Sequence, residues 1–479
     1  MGEKMKIKVL LINPTSESNT THIRVGRCQT KGQPGIDCWP PIDLALICAA
    51  IRKKCKFVET DLYDAQLRPG YNNMLRHIIL FDPNIVIINC TTPTFHNDIA
   101  LAQYIKQNAK NVLIVFFGLH ATVEYYEILK TSHVDCCIIG EPEETIQTIV
   151  HHYAELGKCD FKEIFNIAYL NENREIIINN FKIPDKSVFL SLYPDRSVLQ
   201  NENYRLQYNN KPYTIIQTSR GCHYNCIFCT SSVYSKEYVV RTVNSVILEI
   251  RECVDKYNIT NFMFLSDTFT ADRKWIQKFC EEIINNRIKI KWMSNSRVDT
   301  IDPDLALLMH RAGCWLVSLG IESANQKILD NIKKGTTLDQ SKNAIVTLKN
   351  AKIKVIGYFI FGLPGETFET IKETISFAQK SQLDYAYFFH STPFPGTALY
   401  KYAKENKLLL NLDWRYYTHG ENVTMSCKGL TKIELEKAVR YAYRKFYMRP
   451  RVIINQMLTI RSWKVLHNNI RAVISLLQK

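Results

Sequence analysis

Apolar and polar residues alternate between two rhythms along this chain. Five β-rich apolar runs mark its first third: KIKVLLI (6–12), KFVETDLYD (56–64), NIVIINC (84–90), NVLIVFF (111–117) and VDCCIIG (134–140). Between them, PPIDLALICAAIRKK (40–54), DIALAQYIKQNAK (98–110) and EETIQTIVHHYAEL (143–156) place apolar residues at helical spacing. Continuous apolar strands joined by helical crossovers predict a parallel sheet covered on both faces. A second alternation follows, with strands expected at YTIIQTS (213–219), NFMFLSD (261–267), IKWMSNS (290–296), CWLVSLGIE (314–322), KVIGYFIFG (354–362) and LDYAYFFH (383–390). Helical stretches such as SVILEIRECVDKY (245–257) and DRKWIQKFCEEIINN (272–286) separate them.

These rhythms place the chain in the α/β class. Residues 1–156 fit a flavodoxin-like, Rossmann-type doubly wound sheet, whose ligand sits outside the carboxyl ends of the strands. Residues 157–212 read as a connector, with a hairpin around Asn171–Asn173 and a proline-marked stretch, IPDKSVFLSLYPDRS. Six βα units over 213–405 predict an open, partial (β/α)6 barrel of the TIM type, with its chemistry at the C-terminal strand ends. Residues 406–479 read as helical and basic, with Pro450 as a break.

Composition narrows the function classes. A chain of 479 residues suggests two or three domains. No apolar run reaches the roughly 18–20 residues of a membrane span. The start, MGEKMKIKVLLINP, reads as a strand rather than a signal peptide, so a cytoplasmic location is expected. Fifteen scattered cysteines argue against a disulfide framework. The net charge is +15, and from Ala438 to Lys479 there are nine Lys or Arg and no Asp or Glu. That tail is either a solvated face or a contact for an anionic partner. With Phe446, Trp463, Leu466 and Leu476 it would suit a helix lying on an anionic membrane surface, and hence a lipid substrate.

One group of cysteines stands apart. TSRGCHYNCIFCTSS sets Cys222, Cys226 and Cys229 at CxxxCxxC spacing, directly after the first strand of the second α/β region. A cubane cluster of four irons ordinarily takes four thiolates. Three leave one iron open, which is what a reacting ligand needs. Structural zinc is the other reading, with His223 or a distant cysteine as fourth ligand, although such sites favour paired CxxC motifs.

CxxxCxxC with an aromatic residue before the last cysteine resembles the radical S-adenosylmethionine (SAM) signature. FLSDTFT, WMSNSRVD, AGCWLVSLGIESANQKILDNIKKGTT, FIFGLPGETFETIKETI and PFPGTALY resemble later landmarks of that superfamily, in the branch with an N-terminal cobalamin (B12) domain. This branch includes anaerobic magnesium-protoporphyrin monomethyl ester cyclase, hopanoid biosynthesis proteins and radical SAM methyltransferases. The resemblance implies a [4Fe-4S] cluster on Cys222, Cys226 and Cys229, with Phe228 near the adenine. It implies Asp267 at the SAM amino group, Arg297 pairing with the SAM carboxylate, Glu322 at the ribose or amino group, and a turn near the adenine shaped by Gly362, Pro364 and Gly365.

The first domain carries its own part of the resemblance. WPPIDLALICAAIRKK, FGLHATVEYYEIL and VDCCIIGEPEET match segments of the family's cobalamin domain, which brings Gly118, His120 and Gly140 in as cofactor-site residues. Thr91, Thr92 and Thr94 follow the third strand and are placed to bond corrin amides or the nucleotide tail. The chain departs from the pattern in lacking DxHxxG, in Phe117 and Leu119 around Gly118, and in Pro142. His120 reads as a polar pocket residue rather than a cobalt ligand.

The implied activity is reductive cleavage of SAM to a 5′-deoxyadenosyl radical, fed by an external donor of the flavodoxin or ferredoxin type. Its expected use is cobalamin-dependent methylation of an unactivated carbon in a small-molecule or lipid substrate. Oxidative cyclisation or rearrangement without methyl transfer, and RNA modification, are the alternatives. No added RNA-binding module is evident, which weighs against nucleic acid as a partner. A non-catalytic sensor would have no need of an open iron.

Overall fold

The computed structural model describes residues 7–454 apart from 27–28, 33–37, 110, 207, 235–236 and 451. Trp463, Leu466 and Leu476 of the basic tail therefore lie outside the described residues. The chain forms two compact units. One comprises Met1–Tyr204 with Thr230–Val239 and Asp413–Thr418, and the other Arg205–Cys229, Val240–Leu412 and His419–Lys479.

In the first unit, β1 (Ile7–Asn13), β2 (Val58–Asp64), β3 (Ile85–Asn89), β4 (Leu113–Phe117) and β5 (Cys136–Ile138) pair in parallel in the order β2-β1-β3-β4-β5. This is the flavodoxin-like order, and the chain reverses its winding between β1 and β3. β3 is buried at every position, as expected of a strand covered on both faces. Helix Ile42–Lys54 starts directly after Pro40 and Pro41, at a point where missing N–H groups cost nothing.

The expected connector is built differently. Its hairpin, β6 (Ile167–Leu170) and β7 (Ile176–Ile178), adds antiparallel to β5 and makes the sheet seven-stranded. Farther on, Tyr204 donates its hydroxyl to the buried Asp64 at the end of β2. Residues 157–204 thus belong to the first unit, because their apolar strand residues complete its sheet edge.

The second unit holds β8 (Tyr213–Gln217), β9 (Asn261–Leu265), β10 (Lys291–Ser296), β11 (Cys314–Glu322), β12 (Lys354–Phe361) and β13 (Tyr385–His390). All six are parallel and lie side by side in chain order. Each crossover therefore returns to the same face of the sheet. On that face Phe264 sits in a cage of Phe269, Phe279 and Trp292, and the Trp292 indole donates to the Ala312 carbonyl. The other face alternates with it: β12 is buried at every second residue and half-buried in between.

Helix Lys432–Tyr447 closes this core. Leu435, Ala438, Val439, Ala442 and Phe446 belong to it. The Tyr443 hydroxyl accepts from Phe388 N, and the Tyr447 hydroxyl bonds both N and O of Ala386, so the two rings satisfy the outer edge of β13 where a further strand would bind. Phe446 is thus a core residue on Phe388, not part of a membrane-facing stripe. Among the described residues, no helix is long and apolar enough to cross a membrane.

Candidate functional site

Burial separates the cysteines. Among those described, ten are buried, while Cys222, Cys226 and Cys229 are half-buried, as is Cys159. Burial pushes the Cys48 thiol up to about 12, the behaviour of an inert core residue. The three loop cysteines instead share one segment beyond the C-terminal end of β8. Its middle is pinned: Ile227 N donates to Ile332 O, and Ile227 O accepts from Leu399 N. The side chains of Ile227 and Phe228 pack on Ile328, Leu329, Ile332 and Leu363 on one side and on Leu399, Ala403 and Met425 on the other. The anchored apolar pair leaves Cys226 and Cys229 on either side of it.

Three thiols on one short loop are the kind of donor that an iron–sulfur cluster takes. Among the described residues, no group of three or more Cys, His, Asp or Glu side chains is gathered to hold one metal ion. A cubane takes its thiolates on separate irons at separate corners, so convergence on one point is not required.

Two buried cations approach Cys226. Arg297 is 5% exposed and lies with its guanidinium 3.4 Å from the Tyr224 ring centroid. Its fork is taken by Asp299, at 2.9 and 3.0 Å, while Nη1 points to Cys226 Sγ at 4.0 Å. The expected pairing of this fork with a SAM carboxylate therefore meets a carboxylate already in place. Lys334, which sequence reasoning did not single out, carries the other cation. Its Nζ bonds Glu322 Oε1 at 2.6 Å, with both side chains buried. Burial pulls the Lys334 ammonium down, but Glu322 and the Cys226 thiolate outweigh it, and the net direction is up.

Glu322 itself has φ +65°, a left-handed conformation that a non-glycine residue adopts at a cost of about 1–3 kcal/mol. The pairing of β11 with β12 shifts register there. Gly320 makes room: a Cβ at this position would stand 2.5 Å from Glu322 Oε1 and 2.9 Å from Lys334 Nζ. Asp267 lies half-buried at the C-terminal end of β9, where Asn295 ties down the preceding Ser266 carbonyl.

The turn after β12 is held by a residue the sequence reading passed over. Glu366 Oε2 accepts from Gly362 N and Leu363 N, and Pro364 O accepts from Asn331. Burial pushes the Glu366 carboxyl up to about 8. The folded chain thus keeps a proton that the unfolded chain releases near pH 4.5, and this contribution to stability is lost as pH rises from about 4.5 toward 8. Glu366→Gln, which keeps the acceptor, should flatten that fall. Thermal melts of both proteins across pH 5–8 read it, with a difference of up to about 1.4 kcal/mol per pH unit.

In the first unit the expected residues follow the C-terminal ends of β3, β4 and β5. Thr91 and Thr94 bond each other at 2.9 Å, and Thr94 also donates to Asp98. These two hydroxyls build the turn rather than reach out. Arg24 forks onto Asp98 and bonds the Asn89 carbonyl, a buried network that fixes the segment after β1. Gly140 N donates to Thr122, whose hydroxyl donates to Gly118 O, so the loops after β4 and β5 are tied.

Several polar atoms there have no protein partner. They are Thr92 Oγ1, Gln29 Nε2 and both ring nitrogens of His120, all buried. Burial, with His96 nearby, pushes the His120 imidazole down to about 3, so it is neutral. Phe95 and Trp414 flank the ring at 5.0 and 5.4 Å, and the Trp414 indole donates to Glu127. Trp414 and Gln29 carried no sequence signal, since their partners are distant in the chain. Buried polar atoms without a protein partner are open to water or to a polar ligand, and the amide groups of a corrin are of the chemistry that these atoms could bond.

Gly118 is indispensable to this edge. Its φ is +105°, and a Cβ would come within 2.2 Å of Asn89 Oδ1 and 2.9 Å of Cys90 O. Gly118→Ala should destabilise the protein by at least about 1–3 kcal/mol and lower its midpoint in a thermal melt.

Both units match known families. The radical SAM superfamily pattern matches residues 216–378, and the B12-binding domain pattern matches residues 37–150. An uncharacterized methyltransferase of Pyrococcus horikoshii is 34% identical over 95% of this chain and 95% of its own length. The anaerobic magnesium-protoporphyrin IX monomethyl ester cyclase of Cereibacter sphaeroides is 29% identical over 86% of this chain and 67% of its own. The fold also matches the radical SAM methyltransferase TsrM from Kitasatospora setae, solved with cobalamin and a [4Fe-4S] cluster. That match has a TM-score of 0.67 at 17% identity, over 84% of this chain and 78% of that one.

Proposed function

Because the chain belongs to the radical SAM superfamily, in the branch that carries a B12-binding domain, we propose that it cleaves SAM reductively and methylates an unactivated carbon. A [4Fe-4S] cluster on Cys222, Cys226 and Cys229 would supply the electron that breaks the C–S bond, giving methionine and a 5′-deoxyadenosyl radical, and cobalamin would supply the methyl group. The electron enters from a low-potential flavodoxin or ferredoxin.

The observation that carries this reading is the arrangement beside Cys226. A half-buried thiol on a pinned loop faces Arg297, with the buried Lys334–Glu322 pair at hand. A zwitterionic amino acid head group needs one cation and one anion held at fixed spacing. Lys334 and Glu322 meet that need for the SAM carboxylate and ammonium, each releasing the other as the ligand enters. Asp267 and the Gly362–Pro364 turn are assigned to the rest of SAM, with Phe228 at its adenine.

In the first unit, Thr92, Gln29 and His120 are assigned to the corrin amides. The neutral His120 ring has one donor and one acceptor to offer. Expression with B12 should leave cobalamin bound to the purified protein. His120→Ala should retain less of it, read from the corrin absorption per mole of protein, while retention equal to wild type overturns this assignment.

The substrate reading stays with a small apolar molecule. A cyclisation without methyl transfer is the second reading, on the similarity to the magnesium-protoporphyrin cyclase. Mass analysis of the product decides: methylation adds one CH₂, whereas oxidative cyclisation adds no carbon.

A further inference from the structure

The face of the second unit's sheet that carries no helices is uneven. On β12 its residues are Lys354, Ile356, Tyr358 and Ile360, and on β13 the partners of the last three are Tyr385, Tyr387 and Phe389; Lys354 Nζ stands 5.9 Å from the Tyr385 ring centroid, at the far end of the row. The intervening Val355, Phe359, Phe361, Ala386 and Phe388 are buried in the helix-side core. Beyond Lys354, the six remaining positions of this face are aromatic or aliphatic and carry no charge. The rings of Tyr387 and Phe389 are parallel to within 7°, at 6.1 Å, and Tyr358 touches both at 5.7 and 5.8 Å. Gly420 approaches the Phe389 edge so closely that a Cβ would fall within 2.2 Å, which buttresses that ring. Tyr387 is nevertheless 41% exposed.

This row leads toward the cluster loop. Ile360, at its head, packs in the group that holds Ile227 and Phe228. Tyr358 follows two residues back, about 6–7 Å along the strand. A half-exposed aromatic surface beside a reactive centre is costly to leave in water and useful only when covered by a ligand.

We propose that Tyr358, Tyr387 and Phe389 form the shelf on which the substrate lies, and that the substrate presents a planar, conjugated, largely apolar ring system to it. Rings favour this shelf over flexible chains, because face and edge contacts with aromatic side chains add to the area buried. The inference rests on the radical SAM reading for its placement of the reacting carbon, but the shelf itself can be tested by binding alone.

The test uses the full-length reconstituted protein and 1-aminopyrene, a neutral planar probe, followed by its fluorescence, with palmitate as the flexible apolar competitor. Tyr387→Leu keeps apolar bulk and lies at an exposed position, so the chain should fold. It should weaken 1-aminopyrene binding about three- to tenfold, the worth of one lost ring contact. Tyr387→Trp should bind at least as tightly as wild type. Equal affinity of wild type and Tyr387→Leu overturns the proposal, as does palmitate displacing the probe more effectively than unlabelled pyrene does. Release of 5′-deoxyadenosine from SAM is read on the wild-type preparation in parallel. Cleavage without ring selectivity sinks the shelf alone, whereas absence of cleavage with the cluster intact sinks the reading on which it rests.

Discussion

Cys226→Ala should purify as a folded protein without iron–sulfur absorption after anaerobic reconstitution, and should release no detectable 5′-deoxyadenosine from SAM. The loop backbone is pinned through Ile227, and the apolar contacts of Ile227 and Phe228 do not involve the thiol, so the fold should survive the change. What is lost is one of three thiolates, and two cannot hold a cubane that already lacks a fourth. Cys159→Ala is the matched control. Cys159 is also half-buried, but it lies in the first unit and outside the CxxxCxxC loop, and its loss should leave iron content and cleavage unchanged. Iron and acid-labile sulfide per chain, with a chromatographic assay for the nucleoside, read both variants.

The second large effect is expected at Lys334. Lys334→Ala leaves Glu322 buried without a partner, which costs about 3–5 kcal/mol. It also removes the cation assigned to the SAM carboxylate. The two losses are separable. Lys334→Met combined with Glu322→Gln leaves no unpaired charge, so the thermal midpoint should return toward that of the wild type. SAM affinity, measured by equilibrium dialysis on the cluster-loaded protein, should not return. Recovery of both would make the pair purely structural. Gly320→Ala should act in the same direction, since the added methyl displaces the pair without removing a charge.

Both sheets were legible because their strands carry long runs of β-branched and aromatic residues with helical spacing in between. β11 and β12 match the expected spans nearly to the residue, since Gly313 and Gly362 bracket them with positive φ. Helix Tyr71–Phe81 was not legible: its apolar residues bunch in HIILF, a run short enough for a strand. The 157–212 segment reads as a connector because its strands are short and Pro184 and Pro194 mark it, whereas its hairpin pairing depends on the distant β5.

At the candidate site, the cysteine loop was plain because its three cysteines are close in sequence. Lys334 and Glu366 were not, although both lie inside recognised motifs. Nothing in the sequence distinguishes a buried lysine from the exposed Lys333 beside it, or shows that Glu366 folds back onto its own turn. The sequence singles out Arg297, but not its partner Asp299 two positions on.

The account rests most directly on one measurement: the yield of 5′-deoxyadenosine from anaerobically reconstituted wild-type protein given SAM and a low-potential reductant. The predicted result is a protein with about four irons per chain that releases 5′-deoxyadenosine and methionine in equal amounts, and releases neither without reductant. A fully loaded cluster that leaves SAM intact under the same conditions would contradict it.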